Sequence, residues 1–440
     1  MMKKIVFLLS LFLSLSAEAK LLNVTYFKLN NGLEVAVVEN HKAPVVLHRL
    51  YYKTGSVNDP QGKGGIAHLL EHLMFRGTKK VPDQDFNRLT DVHGATNNAY
   101  TNYHETAYYE FSDISKLELM MALEADRMKN LKISDEAFDK ERKIVLQERY
   151  QRYETQPTPL FYEMLRKMLW QEHPYARPVS GSVAEIKSLK KEDAIEFYKK
   201  WYRPDNALLV LSGDLTATEA KVLAHKYYGA IVPTKPFVVE EKAITQRNMN
   251  AVIQMELDNV EHPRLVTFIQ LDKESLTHKD VSALNLLAEY LCGDDTAFLY
   301  DKLVYKAKKF LSLDMDVSYD DKMGGTISFY AVPVNNTLKA EDMKKVIFDG
   351  ISEGMKQLSQ EKIEKIKNQI LSDTVYLLEN PDSTVHFVGT MLLGGYSVEE
   401  IEQYDENLQA ISLEDIQQAW KIVEKSDVRL TGYLKVKERQ

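Results

Sequence analysis

Hydrophobic and polar positions follow two periods along this chain, and the elements that they predict recur in the same order. The run VVLHRLYYKTGS at 45–56 begins as an apolar strand, and the helix-like run AHLLEHLMFRG follows about ten residues later. The run RLVTFIQLDKES at 264–275 precedes the helix-like run ALNLLAEYLCG at 283–293 in the same way. A strand followed by an apolar helix therefore occurs twice, which favours an internal duplication.

A second repeated pattern closes each predicted half. Residues 189–215 read as a helix, a loop and a strand that ends at Gly213. Residues 411–434 repeat that order and end at Gly432. The alternative is a coincidence of helix and strand patterns, but two matching pairs in the same order favour duplication.

The stretch from Pro233 to Asn250 is charged, carries two prolines and is predicted to link the two halves. We therefore expect one domain at 20–235 and a homologous domain at 250–440.

The first residues are typical of a secretory signal peptide. Lys3 and Lys4 precede an apolar run from Ile5 to Ser16, and Ala17-Glu18-Ala19 fits a signal-peptidase cleavage site. The segment 1–19 is therefore predicted to be removed, which would place the mature protein in the periplasm or outside the cell. The alternative is an uncleaved anchor. No other stretch approaches transmembrane length, so we expect no stable membrane anchor after cleavage.

Composition narrows the class of protein. The chain has 440 residues, of which 44% are hydrophobic, so core burial can supply its stability. Cys292 is the only cysteine, which excludes an internal disulfide. The formal net charge is −8 and no basic stripe occurs, so nucleic acid is a poor candidate partner.

The most informative polar residues interrupt the first apolar helix. His68 and His72 are four residues apart and therefore project from one helix face, where two imidazoles can coordinate one metal ion. Glu71 lies beside them and can reach a metal-bound water. The order H-x-x-E-H is the inverse of the commoner H-E-x-x-H zinc motif. The alternative is a pair of core histidines that hydrogen-bond within the protein.

The equivalent helix of the second half lacks these groups. Laying ALNLLAEYLCG over AHLLEHLMFRG places Asn285, Ala288 and Glu289 at the positions of His68, Glu71 and His72. The second half is therefore predicted to keep the scaffold without the metal ligands.

A zinc peptidase commonly adds a third protein ligand, and residues 134–154 offer candidates. This segment is predicted to be a helix with Ser134 as N-cap. Glu141 and Glu148 lie nearly on one face, with Ile144 and Val145 between them. One carboxylate could bind the cation and the other could brace the site. The alternative is that both are surface charges.

Several motifs together resemble the pitrilysin/insulinase family of zinc peptidases, and the resemblance covers nearly the whole mature chain. They are GSVNDPQGKGGIAHLLEHLMFRGT, GATNNAYTNYHETAYYEF, ERKIVLQE, HPYARPVSG and YRPDNALLVLSGDL. The chain resembles the short two-domain branch that includes mitochondrial processing peptidase and its bacterial relatives. This implies an α+β fold of two duplicated domains, each a mainly antiparallel sheet with helices on one face.

The resemblance also implies a role for each matching residue. His68, His72 and Glu148 match the ligands of a zinc ion (Zn2+), and Glu71 matches the general base. Glu141 matches a glutamate that would orient a ligand from outside the metal's own ligand set. The implied function is endopeptidase cleavage of extended or unstructured peptides.

The resemblance assigns substrate binding to one strand. Asn97 to Asn102 read as a strand after a turn at Gly94, and the family pattern implies an exposed edge strand that pairs with substrate. Asn98, Ala99 and Tyr100 are the candidate contacts. The alternative is an ordinary hairpin strand.

The second half departs from the family pattern. Active relatives carry an Arg and a Tyr after a strand-and-helix unit, and here Val304 and Leu311 fall at those positions within 296–317. Some bacterial relatives divide these functions between two chains. This chain is therefore predicted to be the zinc-bearing subunit of a heteromeric complex, with a homologous subunit that carries the Arg/Tyr pair. The alternatives are a self-sufficient homodimeric peptidase and a non-catalytic binding or assembly subunit.

Overall fold

The structure is a computed structural model that describes residues 20–82, 85–233, 248–320 and 324–437. The predicted signal peptide at 1–19 and most of the predicted linker lie outside these ranges. Within them, no helix combines the length and the apolar character that a membrane crossing requires.

The first half builds a six-stranded sheet. Its strands are β1 (Thr25–Lys28), β2 (Glu34–Glu39), β3 (Val45–Tyr52), β4 (Thr96–Thr101), β5 (Thr106–Asp113) and β6 (Ala207–Gly213). Their order across the sheet is β1-β2-β6-β3-β5-β4. The β2–β6 pair is parallel and the other pairs are antiparallel.

The second half builds a five-stranded sheet. Its strands are β7 (Met249–Leu257), β8 (Arg264–Leu271), β9 (Phe310–Asp320), β10 (Gly324–Pro333) and β11 (Val428–Val436). Their order is β7-β11-β8-β10-β9, with β7 and β11 parallel. Counted from β2 and from β7, the two halves place their strands in the same spatial order, which confirms the predicted two-domain α+β fold.

Helices follow the same division. Those of the first half are α1 (Ile66–Leu73), α2 (Asp85–Val92), α3 (Leu117–Asn130), α4 (Asp135–Arg149), α5 (Pro157–Trp170), α6 (Val183–Ser188), α7 (Lys191–Trp201) and α8 (Ala217–Tyr228). Those of the second half are α9 (His278–Cys292), α10 (Ala340–Gln357), α11 (Gln360–Leu377), α12 (Pro381–Leu393), α13 (Val398–Glu402), α14 (Tyr404–Gln409) and α15 (Leu413–Lys425). A π-helical turn, Tyr150–Glu154, follows α4, and another spans Tyr300–Lys306.

Side chains of the first sheet alternate between two cores, as the strand period requires. Val35, Val37 and Leu50 face the core that α1, α3, α7 and α8 of the same half cover. Tyr51 and its neighbours on the opposite face pack instead against α12, which belongs to the second half. The residues of this second core include Ala36, Leu47, Leu208, Val385 and Val388.

The second sheet is covered in the reciprocal way. Phe161 and Leu165 of α5, from the first half, pack against Val266, Leu430 and Leu434. Each sheet therefore has its own helices on one face, as expected, and one helix of the other half on the opposite face. The sequence did not indicate this exchange, because an amphipathic helix does not specify which sheet covers its apolar side.

Two details differ from the sequence-based boundaries. Strand β11 continues past Gly432 to Val436, so this glycine does not end the strand. A Cβ at Gly432 would lie 2.2 Å from Leu165 Cδ1, so the glycine permits the close approach of α5. Strand β7 begins at Met249, inside the stretch predicted to be a linker.

Candidate metal centre

Helix α1 carries the two histidines and is fixed at its beginning by a buried carboxylate. Asp59 accepts hydrogen bonds from the backbone N–H groups of Gly65, at 2.7 Å, and Ala67, at 3.1 Å. These N–H groups would otherwise lack partners at the helix N-terminus. The apolar positions of the helix are buried, namely Ile66, Ala67, Leu69, Leu70 and Leu73.

Glycines allow the start of α1 to touch a second motif. Gly65 has a φ of 87° and Gly181 has a φ of 75°, both in the left-handed region. A Cβ at Gly65 would lie 2.4 Å from Ser180 O, and one at Gly181 would lie 2.2 Å from Gly64 O. The GKGG and PVSG segments therefore pack backbone against backbone and set the position of the histidine helix.

Helix α4 brings two glutamates to α1. Ser134 caps this helix, as predicted, by accepting a hydrogen bond from Ala137 N at 3.1 Å. Val145 is fully buried in the core that α1 and α4 share, whereas Ile144 is 37% exposed. Burial of Val145 turns Glu141 and Glu148 toward the histidines.

Three side chains converge on one point. Glu148 Oε2 lies 3.7 Å from His68 Nε2 and 3.6 Å from His72 Nε2. One donor atom from each of the three residues lies within 4.8 Å of the other two. Two imidazole nitrogens and a carboxylate oxygen are a ligand set that zinc accepts while keeping a position for water. The residues present therefore fit a zinc ion.

Glu141 supports this group from outside it. Its Oε2 lies 3.1 Å from His72 Nδ1, and its carboxylate forms an ion pair with Arg76. Contact at Nδ1 leaves His72 Nε2 directed to Glu148. Burial raises the pKa of Glu141, but the His72 hydrogen bond and the Arg76 charge outweigh it and lower the pKa. Glu141 is 2% exposed, so it is not a surface charge.

Glu71 belongs to the same cleft but makes a different contact. Its Oε2 accepts a hydrogen bond from Thr101 Oγ1 at 2.5 Å. Burial raises the pKa of Glu71, and the Thr101 hydrogen bond and nearby His72 oppose that shift only in part. A carboxylate with a raised pKa is better suited to taking and returning a proton near neutral pH.

The two histidines differ electrostatically. Burial, with the nearby His72 as a smaller cause, lowers the pKa of His68. Burial also disfavours charge on His72, but hydrogen bonds to Glu141 and Glu148 outweigh it and raise the pKa of His72. The His72 hydrogen bond is the main cause that lowers the pKa of Glu148. Metal ligation requires neutral imidazole, so the raised pKa of His72 makes metal binding compete with protonation of this ring.

The three candidate substrate contacts line the same cleft of about 860 Å³. Asn98, Ala99 and Tyr100 lie on β4, at the edge of the six-stranded sheet. Tyr100 Oη donates to Glu105 Oε1 at 3.2 Å, and Ala99 packs partly against the core. A strand at a sheet edge offers backbone groups to a peptide.

Six further residues line the cleft that the sequence did not indicate as site residues. They are Phe75, Arg76, Asn87, Thr101, Lys140 and Arg152. Arg76 follows His72 by four residues and Arg152 follows Glu148 by four, so helical spacing could have indicated both. Thr101 had no such signal, because its contact with Glu71 joins a strand to a helix.

No second trio of metal-binding side chains occurs in the part of the chain that the structure describes. Val304 is partly buried against the second core, and Leu311 is 48% exposed. Tyr305 is 53% exposed, and its hydroxyl lies 3.4 Å from Asp295 Oδ2. Neither Val304 nor Leu311 can donate a side-chain hydrogen bond.

Comparison with protein families gives two matches that meet at α6. Residues 34–183 match the insulinase family, peptidase family M16, and residues 188–370 match the inactive domain of family M16 peptidases. The first match contains the two histidines and all three glutamates of the cleft. The second begins after them and covers α9.

Individual relatives agree. The chain is 27% identical to the zinc protease PqqE of Helicobacter pylori, over 85% of this chain and 84% of that protein. It is 31% identical over 206 residues to a probable mitochondrial-processing peptidase subunit beta of Schizosaccharomyces pombe, covering 47% of this chain and 45% of that one. In fold it is similar to a Helicobacter pylori protease crystal structure, with a TM-score of 0.86 and 24% identity, covering 94% of this chain and 99% of that one. The chain belongs to the insulinase family of peptidases, family M16.

Proposed function

We propose that this protein is a zinc-dependent endopeptidase that cleaves extended or unstructured peptides. The observation that carries the proposal is the convergence of His68, His72 and Glu148 beside the partly buried carboxylate of Glu71. Family membership and the zinc protease among the relatives support it. A non-catalytic subunit would have no need to keep all four side chains in one cleft.

Each side chain has a distinct task in this proposal. His68, His72 and Glu148 would hold the zinc ion, which when bound lowers the pKa of water and polarises the scissile carbonyl. Glu71 takes a proton from the attacking water and passes it to the nitrogen of the leaving amine. Thr101 positions Glu71 through its 2.5 Å hydrogen bond. Glu141 orients His72.

Substrate would bind by adding a strand to the sheet. The free edge of β4 lies in the same cleft as Glu71, so an extended peptide paired with this strand would pass the catalytic carboxylate. Backbone pairing gives affinity with little dependence on sequence. Asn98, Ala99 and Tyr100 are the proposed contacts.

Glu71→Gln tests the catalytic assignment. We expect the variant to fold and to bind one zinc ion per chain, while peptide hydrolysis falls by about 10²–10⁴-fold because the proton acceptor is missing. Zinc content by elemental analysis and turnover of an unstructured peptide are the two measurements. Glu136→Gln, at an exposed position of α4, is the control. If the Glu71 variant loses its zinc, Glu71 is a zinc ligand and its assignment as the proton acceptor is wrong.

We propose further that the enzyme acts with a homologous subunit that carries an Arg/Tyr pair. The supporting observation is that Val304 and Leu311 supply no hydrogen-bond donor where active relatives are expected to place one. Loss of a single donor to a developing oxyanion typically costs about 10²–10³-fold in turnover.

The test is to assay the purified chain on peptides alone and then with candidate homologous chains. We expect the chain alone to hydrolyse peptides weakly, and we expect turnover to rise by about 10²–10³-fold when the partner chain is added. Full activity of the chain as a monomer or homodimer, unchanged by any partner, would favour the self-sufficient alternative.

We also propose that the chain is exported, with 1–19 as the signal peptide and domains at 20–235 and 250–440. N-terminal sequencing of the mature protein should begin at Lys20. A mature protein that retains residues 1–19 would contradict export by cleavage.

A further inference from the structure

The metal cleft has an unusual balance of charge among its lining side chains. Its three carboxylates are Glu71, Glu141 and Glu148, and each is engaged by the protein. Glu71 accepts from Thr101, and Glu141 contacts both His72 and Arg76. Glu148 faces the two histidines through Oε2 and Arg152 through Oε1. Glu141 and Glu148 already pair with other side chains, and none of the three carboxylates forms an ion pair with the further cation that lines the cleft.

Lys140 is that further cation. It lies on α4 next to Glu141, is exposed and lines the cleft. Among residues 20–82, 85–233, 248–320 and 324–437, no carboxylate forms an ion pair with Lys140. Its ammonium group is available to a molecule that enters the cleft.

Arg152 is only partly used. It lies in the π-helical turn after α4, and its Nη1 donates to Glu148 Oε1 at 2.8 Å. Its side chain is 70% exposed. A guanidinium group has five N–H donors in a planar fork, so one contact to Glu148 leaves donors that a bound carboxylate can accept.

The net charge of the lining favours anions once the metal is present. Three cations, Arg76, Lys140 and Arg152, balance the three carboxylates when the histidines are neutral. A zinc ion would add two positive charges, although the whole chain has a formal net charge of −8. A local positive field in a negatively charged chain attracts and orients anionic groups.

We propose that Lys140 and Arg152 make this cleft selective for peptides with a carboxylate close to the bond that is cleaved. The carboxylate can be an Asp or Glu side chain or the free C-terminus of a short peptide, since both present the same group. This inference rests on the proposed function, because it takes the cleft to be the place where peptide binds. Both residues determine specificity and neither takes part in proton transfer.

Matched peptides test the preference. One series replaces a single Glu near the scissile bond by Gln, and another compares a free with an amidated C-terminus. The assay uses the full chain, with its partner chain where one is found, and measures kcat/KM for each peptide. We expect the wild-type protein to prefer the acidic peptide by about fivefold or more at low salt, and less at high salt because exposed charges are screened.

Variants assign the preference to residues. Lys140→Gln and Arg152→Gln should each reduce the ratio of kcat/KM for acidic over neutral peptide, and the double variant should bring it near one. Lys140→Glu should invert it. Arg142→Gln is the control, because Arg142 lies on the same helix but pairs with Asp139 and the Leu189 carbonyl. Zinc content is measured for every variant, since Arg152 contacts Glu148. If Arg152→Gln loses zinc, the Lys140 variants alone decide whether the preference for acidic peptides depends on these cations.

Peptide binding to zinc-loaded Glu71→Gln protein, measured by fluorescence anisotropy, separates this inference from the proposed function. If the Glu71→Gln protein binds acidic peptides selectively but the wild-type protein hydrolyses none, the proposed peptidase activity is wrong and the charge preference stands. If the wild-type protein hydrolyses acidic and neutral peptides with equal kcat/KM, the charge preference is wrong and the proposed peptidase activity stands. A preference that survives in both Lys140→Glu and the double variant would also overturn the inference.

Discussion

At the scale of single residues, the site depends on how Glu141 is held. Its carboxylate is 2% exposed and lies between His72 Nδ1, at 3.1 Å, and the guanidinium group of Arg76. A carboxylate so deeply buried is costly unless it is paired. Here the pairing fixes the ring orientation of His72, whose Nε2 is then directed to Glu148 at the candidate metal site. From the sequence alone, Glu141 could equally support a metal site or be a charge on the protein surface. Its burial excludes the surface charge.

Glu141→Gln should weaken zinc binding by about 10–100-fold, because the neutral amide no longer holds both His72 Nδ1 and Arg76. Competition with a chelator of known affinity measures the change. Glu136→Gln, exposed on the same helix, should bind zinc as the wild type does. Unchanged zinc affinity together with unchanged turnover would show that Glu141 does not support the site.

At the scale of elements, helix α1 is short, and its position depends on contacts at its beginning. It spans eight residues, too few for an isolated helix to be stable in water. Its apolar residues anchor it in the first core, and Asp59 accepts the N–H groups of Gly65 and Ala67. The capping carboxylate comes from the preceding loop and is 4% exposed.

Asp59→Ala should lower the free energy of unfolding by about 1–3 kcal/mol, because two buried N–H groups lose their acceptor. Zinc affinity should fall with it, since His68 lies in the first turn that these bonds hold. Denaturant titration and chelator competition measure the two effects. Asp91→Ala, at an exposed position of α2, is the control and should change neither. A stable Asp59 variant with normal zinc binding would show that core packing alone positions α1.

At the scale of the whole molecule, the exchange of α5 and α12 joins the two halves. Tyr51, fully buried in the first sheet, donates a hydrogen bond to the Val385 carbonyl of α12 at 3.2 Å. Arg49 of the same strand forms an ion pair with Asp382 at the start of α12. Each half thus completes the core of the other, and we expect the two to unfold together.

Gly389→Ala tests the packing of α12 against the first sheet. Alanine in a helix interior is favoured over glycine by about 1 kcal/mol, but an added Cβ would lie 2.4 Å from Tyr51 Oη. Because Tyr51 is fully buried and cannot easily move, overpacking should prevail and lower the free energy of unfolding by about 1–3 kcal/mol. Thr390→Ala, at the exposed neighbouring position, is the control. An unchanged or higher Tm for the glycine variant would mean that α12 can shift without cost to the fold.

The sequence by itself determined the local elements and the duplication. Helical spacing placed His68 and His72 on one face, Ser134 marked the beginning of α4, and a strand was predicted at 97–102, after the turn at Gly94, where the structure has Thr96–Thr101. These features are encoded within one element, because the periods of helix and strand fix which side chains share a face.

Only the tertiary structure decided which faces meet. It buried Glu141 against Arg76, placed β4 at a sheet edge and exchanged α5 with α12 between the halves. It also gave Gly432 a packing role in place of the predicted strand end. These features depend on contacts between residues far apart in the chain, and the period of one element does not specify the partner that covers its apolar face.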